Sequence, residues 1–180
     1  MHFSRVFAMP NSETFSISPI AALVKAFLSR STVSVDPFAR NKNWCSHTND
    51  LNPQTSAQHH LPADEFLTQL RAKNIKADLG LFDPPYSPRQ ISECYKAVGL
   101  KVGTAETQNG RLYKSVRDAL DRIIIPGGFV LSFGWSSNGM GIGRSYDLLA
   151  ILLVAHGGAH NDTICLVEQK RVVPTTNPVL

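Results

Sequence analysis

The sequence has few of the residues that mark secreted or metal-binding domains. Its three cysteines, Cys45, Cys94 and Cys165, are far apart and include no Cys-x-x-Cys pair, so we expect neither a disulfide framework nor a cysteine-based zinc site. His156 and His160 are four residues apart, but on a glycine-rich connection rather than a helix. We expect them to form hydrogen bonds there and to bind no metal. A reducing cytoplasm suits this composition.

Long apolar runs are also missing. The longest, residues 148–155, is far shorter than the roughly 20 residues that a membrane-spanning helix needs. The first 15 residues contain no apolar stretch of signal-peptide length. We therefore expect a protein that neither enters a membrane nor is secreted.

The balance of residue types is that of an ordinary globular domain. Hydrophobic residues make up 43% of the 180 residues and charged residues 18%, which allows one core without disulfides or metals. Lysine and arginine exceed aspartate and glutamate by 18 to 14, so a polyanionic partner such as nucleic acid is permitted but not required. We expect residues 1–180 to form one domain, with a flexible leader over 1–9 and a loose tail over 171–180.

Helical and extended patterns alternate along the chain. Apolar residues at helical spacing, with proline or carboxylates in several first turns, predict helices over 19–28, 63–74, 87–98 and 110–124. Apolar and β-branched runs predict strands ending at Asp36 and just before Asp50, and others over 77–82, 129–133, 146–155 and 163–170. This alternation indicates an α/β fold, with helices on both faces of a largely parallel sheet and a C-terminal antiparallel hairpin.

Three aspartates, Asp36, Asp50 and Asp83, follow successive predicted strands. In an open α/β sheet, ligands bind outside the carboxyl ends of the strands. Ionised carboxylates only accept hydrogen bonds, so together these residues could hold a ligand rich in hydroxyl and amino donors. Taken singly, each aspartate would more often be a strand terminator or a helix cap.

The segment Asp83-Pro84-Pro85-Tyr86 favours the binding role. Its two prolines fix the backbone and remove two N–H donors, so the segment presents carbonyl acceptors in a rigid, extended shape. A side-chain oxygen of Asp83 and the carbonyl oxygen of Pro84 would accept both hydrogens of an exocyclic amine. The ring of Tyr86 would stack on the base that carries this amine.

An Asp-Pro-Pro-Tyr motif after an apolar strand resembles the catalytic motif of the amino-methyltransferases, which transfer a methyl group from S-adenosylmethionine to adenine N6, most familiarly in DNA. The segments SETFSISPI, VDPFAR, NDLNP, ADEFL and LFDPPY occur in the order of that family's cofactor-binding and catalytic segments. The resemblance covers roughly residues 10–170 and is closest to small adenine methylases, often carried by phages. It implies a Rossmann-like class I methyltransferase fold with a seven-stranded sheet, and S-adenosylmethionine as the cofactor.

The resemblance also implies roles for individual residues. The catalytic residues would be Asp83, Pro84, Pro85 and Tyr86. Asp36, Pro37 and Phe38 would lie next to the methionine part of the cofactor. Asp50 would accept hydrogen bonds from its ribose hydroxyls, and Asp64 would lie near its adenine. Phe15 would close over the bound cofactor. The sequence departs from the family at Arg40–Asn43, where glycines usually let the backbone approach the cofactor. It departs again at Pro62, where the acid near the adenine often lies.

Three residues outside the motif are expected to contact a nucleic acid. Arg89 could meet phosphates, although a solvated surface position is as common for such a residue. Trp135 could hold the base, although core packing is the commoner role. Asn161 lies in the connection that borders the flipped base in the family.

Three functions stay open at this point. The first and favoured one is adenine-N6 methylation of DNA, the second is methylation of an RNA base at adenine N6 or guanine N2, and the third is nucleic-acid or cofactor binding without turnover. The glycine-poor segment after Asp36 keeps the third function open. No insertion is large enough to be a separate target-recognition domain, so we expect relaxed or short-site specificity, or recognition supplied by a homo-oligomer or a partner.

Overall fold

The computed structural model describes residues 1–86, 88–97, 99, 109–158 and 160–172. In this part of the chain the strands are β1 (His2–Phe7), β2 (Ser34–Asp36), β3 (His47–Thr48), β4 (Ala77–Phe82), β5 (Ile124–Gly134), β6 (Tyr146–Ala155) and β7 (Thr163–Lys170). The helices are α1 (Ser18–Leu28), α2 (Ala63–Ala72), α3 (Pro88–Ala97) and α4 (Asn109–Ile123). None of the helices described here combines the length and the apolar character needed to cross a membrane.

The strands form one sheet in the order β1-β6-β7-β5-β4-β2-β3. β7 is antiparallel to both of its neighbours, β5 and β6, and every other pair is parallel. The predicted α/β fold, with its mostly parallel seven-stranded sheet and C-terminal hairpin, is therefore confirmed. Because β2 lies between β3 and β4, the carboxyl ends of these three parallel strands meet at one edge of the sheet.

Two apolar clusters cover the two faces of the sheet. Successive residues of a strand point to opposite faces, and Val130 accordingly packs with α2 and α4 while Leu131 packs with α1. Gly80 lets α4 approach closely, since a Cβ there would lie 3.1 Å from Leu120 Cδ1. The fully buried Leu120 is thus a central contact between α4 and the sheet.

The predicted helices are confirmed with ends that agree to within one or two residues where the structure describes them. The strands predicted over 77–82, 146–155 and 163–170 have those ends. β5 begins at Ile124, five residues before the predicted start at 129, because the chain passes directly from α4 into the strand. Gly127, with φ of 83°, and an irregular register between β4 and β5 accommodate this early start.

The prediction of a flexible leader over residues 1–9 is wrong for residues 2–7. They form β1, an edge strand parallel to β6, with His2 paired to Ala150 and Phe7 to Ala155. Phe3 and Phe7 stay 57% and 67% exposed, so backbone pairing more than burial stabilises this strand. An apolar pattern with no buried face does not distinguish a strand from a loose segment. Of the predicted tail, residues 173–180 lie outside the described residues.

Replacement of Leu120 by alanine should destabilise the protein by about 2–5 kcal/mol, since the cavity under α4 cannot close fully. Leu149→Ala is the matched control, because Leu149 lies on β6 and is 38% exposed; its cost should stay below about 1 kcal/mol. Urea unfolding followed by circular dichroism measures both values. Equal costs for the two variants would contradict the packing described for α4.

Candidate active site

The carboxyl ends of β2, β3 and β4 bring Asp36, Asp50 and Asp83 to one place. Asp36 is 1% exposed, and its carboxylate accepts a hydrogen bond from the Phe38 backbone N–H at 2.9 Å. Burial raises the pKa of Asp36 well above its usual value, and the charges of Asp83 and Asp50 raise it further. The three side chains therefore interact, as the strand order leads one to expect, while their roles stay predictions.

A cavity of about 600 Å³ opens in front of this edge of the sheet, within the size range of small-molecule sites. Of the residues predicted for the site, those that line it are Pro37, Phe38, Asp50, Asp83, Pro84, Pro85 and Tyr86. Lining residues to which the sequence analysis assigned no role in binding include Ser12, Thr14, Arg40, Asn49, Leu61 and Gln90. Ser12, Thr14, Arg40 and Asn49 lie in segments that carry the sequence resemblance, which is the signal that could have found them.

The Asp83 carboxylate is held by hydroxyl groups. The Tyr86 hydroxyl donates to Asp83 Oδ1 and lies 3.2 Å from Thr14 Oγ1, and the Tyr86 backbone N–H donates to Gln90 Oε1 at 2.6 Å. Burial raises the pKa of Asp83 to about 6, against the opposing effects of the bonds from Tyr86 and Thr14 and of the positive charge of Arg40. Asp83 is therefore an ionised acceptor above pH 6 and a neutral acid well below it.

The two proline carbonyls differ in their partners. The Tyr113 hydroxyl, on α4, donates to the carbonyl oxygen of Pro85, and burial raises the pKa of Tyr113 to about 12, so this donor keeps its proton. Pro84 is buried, and no donor from the described residues reaches its carbonyl oxygen. Asp83 and Pro84 thus both line the cavity, and the Pro84 carbonyl oxygen accepts no hydrogen bond from a described residue. Their role as a pair of acceptors stays a prediction.

Asp50 fixes the loops around it. Its Oδ1 accepts the Asn52 N–H at 2.8 Å and its Oδ2 accepts the Arg40 N–H at 3.2 Å. Arg40 adopts the left-handed conformation, with φ of 51°. In the same loop, Asn43 Nδ2 donates to the Ser56 carbonyl oxygen at 2.6 Å. Side-chain hydrogen bonds thus hold a loop in which the sequence resemblance would place glycines.

Three residues predicted to contact a cofactor, Phe15, Asp36 and Asp64, do not line the cavity. Phe15 is 5% exposed, and its ring packs between those of Trp44 and Phe133, with centroids 6.0 and 5.0 Å away. Asp64 lies in the first turn of α2, where its neighbours Pro62 and Ala63 line the cavity and it does not. In this conformation Phe15 is a core residue.

The residues predicted to contact nucleic acid lie outside the cavity lining. Trp135 is 44% exposed, and its ring lies 5.4 Å from that of Tyr86, so the two form an aromatic wall beside Asp83. Arg89 is exposed and pairs with Glu93 at 2.8 Å. Asn161 is exposed in the connection between β6 and β7. Only Trp135 is brought next to the Asp83–Tyr86 motif.

Neither a protein-family model nor a curated protein sequence matches this chain. Among solved structures, SMU.776, described as a candidate methyltransferase complexed with SAH, matches with a TM-score of 0.53 at 10% identity, over 82% of this chain and 48% of its own. TrmN from Thermus thermophilus matches with a TM-score of 0.52 at 14% identity, over 86% of this chain and 49% of its own. NSun6 from Pyrococcus horikoshii with SFG matches with a TM-score of 0.53 at 11% identity, over 82% of this chain and 50% of its own.

The fold is that of the Rossmann-like methyltransferases. Identities this low are evidence for the fold and not for an activity. The chain spans about half the length of the three proteins named above. The chemistry must therefore be argued from the side chains of the cavity.

Replacement of Asp83 by asparagine should stabilise the protein in a pH-dependent way. The folded pKa of Asp83, about 6, is above the ordinary unfolded value of about 3.9. Its contribution to stability is therefore fully present below the unfolded value and is lost as pH rises through 6. Asparagine cannot ionise, so the variant should gain about 3 kcal/mol over the wild type at pH 7.5.

Thermal unfolding of both proteins at pH 7.5 and pH 5 measures this effect. The difference in Tm should be largest at pH 7.5 and should shrink at pH 5. A difference independent of pH would show that Asp83 does not titrate as its burial requires.

Proposed function

We propose that this protein is an S-adenosylmethionine-dependent methyltransferase that methylates the exocyclic amine of a nucleic-acid base, adenine N6 in DNA being the favoured target. One observation supports the proposal most: Asp83 and its neighbour Pro84, whose carbonyl oxygen accepts no hydrogen bond from the described residues, both line the cavity. The methyltransferase fold and the resemblance of the Asp83–Tyr86 motif to adenine methylases support it.

The cavity fits the proposed cofactor in size and chemistry. Its volume of about 600 Å³ accommodates a nucleoside with an amino-acid side arm. The Asp50 carboxylate can accept further hydrogen bonds from ribose hydroxyls, because two oxygens offer more lone pairs than Asn52 and Arg40 use. Apolar lining from Phe38, Leu61 and Pro62 suits a purine ring.

Asp83 and Pro84 would activate the amine. S-adenosylmethionine, when bound, would supply the methyl group: the amine nitrogen would take it from the positively charged sulfur, leaving a neutral thioether, and would then lose one proton to solvent. Hydrogen bonds from both amine hydrogens to fixed acceptors favour a pyramidal nitrogen with an available lone pair. The carboxylate also stabilises the positive charge that develops on that nitrogen, and the fixed pair of acceptors orients it for transfer.

Tyr86 and Trp135 would hold the base. Their rings, 5.4 Å apart and inclined by 60°, offer a stacking surface next to Asp83, and such stacking contributes roughly 1–3 kcal/mol per base. A base in a duplex would leave its stack to enter the cavity, which costs a few kcal/mol. The acceptor pair contacts the amine and not the sugar, so the same site would also serve an RNA base.

The methyl-transfer experiment described next also tests the third function, which is binding without turnover. The enzyme would have relaxed or short-site specificity, or a homo-oligomer or a partner protein would supply the recognition of a longer site. The wild type with labelled S-adenosylmethionine should transfer methyl groups to DNA more than to tRNA or ribosomal RNA, and nucleoside mass spectrometry of the DNA should identify N6-methyl-2′-deoxyadenosine. Transfer to RNA alone would replace the DNA assignment, and no transfer to any polymer would leave binding without turnover.

Asp83→Ala should lower transfer by about 10²–10³-fold or more, the usual cost of removing a group that stabilises developing charge. Asp147→Ala is the matched control, because Asp147 is an exposed acid paired with Arg171 at 2.6 Å, far from the cavity lining. Circular dichroism should show both variants folded. Undiminished transfer by Asp83→Ala would overturn the mechanism.

Tyr86→Phe keeps the stacking ring and removes the hydroxyl that donates to Asp83. That hydrogen bond lowers the pKa of Asp83, so its loss should raise this pKa above 6. The pH profile of kcat/KM should fall at low pH in both proteins, with the fall moved to higher pH in the variant. A parallel Tyr86→Ala should instead raise the KM for nucleic acid, since the ring is lost. An unmoved profile in Tyr86→Phe would contradict the assigned contact.

A further inference from the structure

Arg40 is the only positively charged residue among the described residues that line the cavity. Three acids, Asp50, Asp83 and Glu93, line it as well, and the buried Asp36 interacts with two of them. The cavity therefore carries an excess of negative charge, with one cation at a defined place. A ligand with an anionic group would be repelled from this cavity everywhere except beside Arg40.

Hydrogen bonds hold both the backbone and the side chain of Arg40 in place. Its backbone N–H donates to Asp50 Oδ2 at 3.2 Å, and its Nη1 donates to the Ser12 carbonyl oxygen at 2.6 Å. The side chain thus connects the loop after β2 to the segment before α1. A guanidinium has five N–H donors, and the described residues receive a hydrogen bond from one of them. The remaining donors can serve a ligand.

The backbone of Arg40 is in a conformation that an arginine rarely adopts. Its φ of 51° lies in the left-handed region, where a residue with a Cβ is strained and glycine is not. Glycine at this position would relieve the strain and would match the glycine-rich loops that the sequence resemblance leads one to expect. An arginine held there at a cost points to a function of its side chain.

We propose that Arg40 forms a binding subsite for the carboxylate of the amino-acid part of the cofactor. This inference rests on the proposed function. The cofactor carries a cationic sulfur and an ammonium group, which suit the acids of the cavity, and one carboxylate, which suits only Arg40. Arginine binds carboxylates through two parallel N–H donors. Its side chain thereby does what backbone N–H groups of a glycine-rich loop would otherwise do.

The location of Arg40 favours this ligand over a phosphate of the nucleic acid. Arg40 is bonded to Asp50, which the proposed function assigns to the cofactor ribose, and to Ser12. The base would enter beside Tyr86 and Trp135. A phosphate contact is nevertheless a distinct outcome that the experiment below separates.

Titration calorimetry with two ligands tests the subsite, because it measures binding affinity without any methyl transfer. S-adenosylmethionine and its decarboxylated form differ by the carboxylate and keep the same ammonium, sulfonium, ribose and adenine. Arg40→Ala should weaken the binding of S-adenosylmethionine by about 10–100-fold and should change the affinity for the decarboxylated form less than about twofold. Arg40→Lys should recover part of the loss.

Arg40→Gly is the control for the backbone. It removes the whole side chain and leaves the left-handed backbone conformation unstrained, so it should lose affinity for S-adenosylmethionine as Arg40→Ala does. Its thermal unfolding should be no earlier than that of the wild type, because the strained backbone is relieved.

Three results would overturn the subsite. Equal losses for both ligands would mean that Arg40 only shapes the loop. Unchanged S-adenosylmethionine binding with weakened DNA binding would mean that Arg40 contacts a phosphate. Failure of the wild type to bind either ligand would overturn the proposed function itself, and this result differs from the other two because no variant is involved.

Discussion

Three carboxyl groups held together at the ends of β2, β3 and β4 are the constraint on which the rest of the site depends. Asp36, Asp50 and Asp83 are brought together by the sheet order, and the charges of the other two raise the pKa of Asp36 beyond the effect of its burial. Such repulsion is costly where water is scarce. The chain offsets part of it with the backbone N–H groups of Phe38, Arg40 and Asn52. A cationic or donor-rich ligand would offset more of it.

Helix α4 contacts both the Asp83–Tyr86 segment and the loop after β5. Its Tyr113 holds the Pro85 carbonyl, and one turn later Arg117 donates to the carbonyl oxygens of Asn138 and Gly139 at 3.2 and 2.7 Å. The loop that contains these two residues begins at Trp135, directly after β5. Helix α4 therefore holds both the Asp83–Tyr86 segment and the loop that begins at Trp135. Packing of α4 on the sheet is thus coupled to the geometry of the site.

Buried Glu168 secures the same loop from the side of the sheet. Its carboxylate oxygens accept the N–H groups of Met140 and Gly141 at 2.7 and 2.9 Å, and Gly139 has no room for a side chain because a Cβ would lie 2.0 Å from Glu168 Oε2. The close approach of Gly139 to this buried acid makes the connection part of the folded structure.

Sequence patterns predicted the features that depend on local order. The strand before Asp83, the rigid prolines after it and the meeting of three strand ends follow from periodicity, proline chemistry and sheet topology. The hydrogen bond from Tyr86 to Asp83 and the left-handed backbone of Arg40 do not follow, because both depend on side chains and loops that meet only in the folded chain. Phe15 is buried for the same reason, since Trp44 and Phe133 approach it from distant parts of the sequence.

The bond between Tyr86 and Asp83 has a consequence for which groups the site would accept. Asp83 Oδ1 already receives the Tyr86 hydroxyl, but a carboxylate has about four acceptor positions, so an incoming amine can bond to it without displacing the tyrosine. The second hydrogen of the amine then satisfies the carbonyl of Pro84. A keto or hydroxyl group in the same place would leave at least one of these buried acceptors unpaired, at a cost of about 1–3 kcal/mol. The acceptor pair would therefore select bases that carry an exocyclic amine, while Tyr86 keeps the carboxylate ionised so that it can accept.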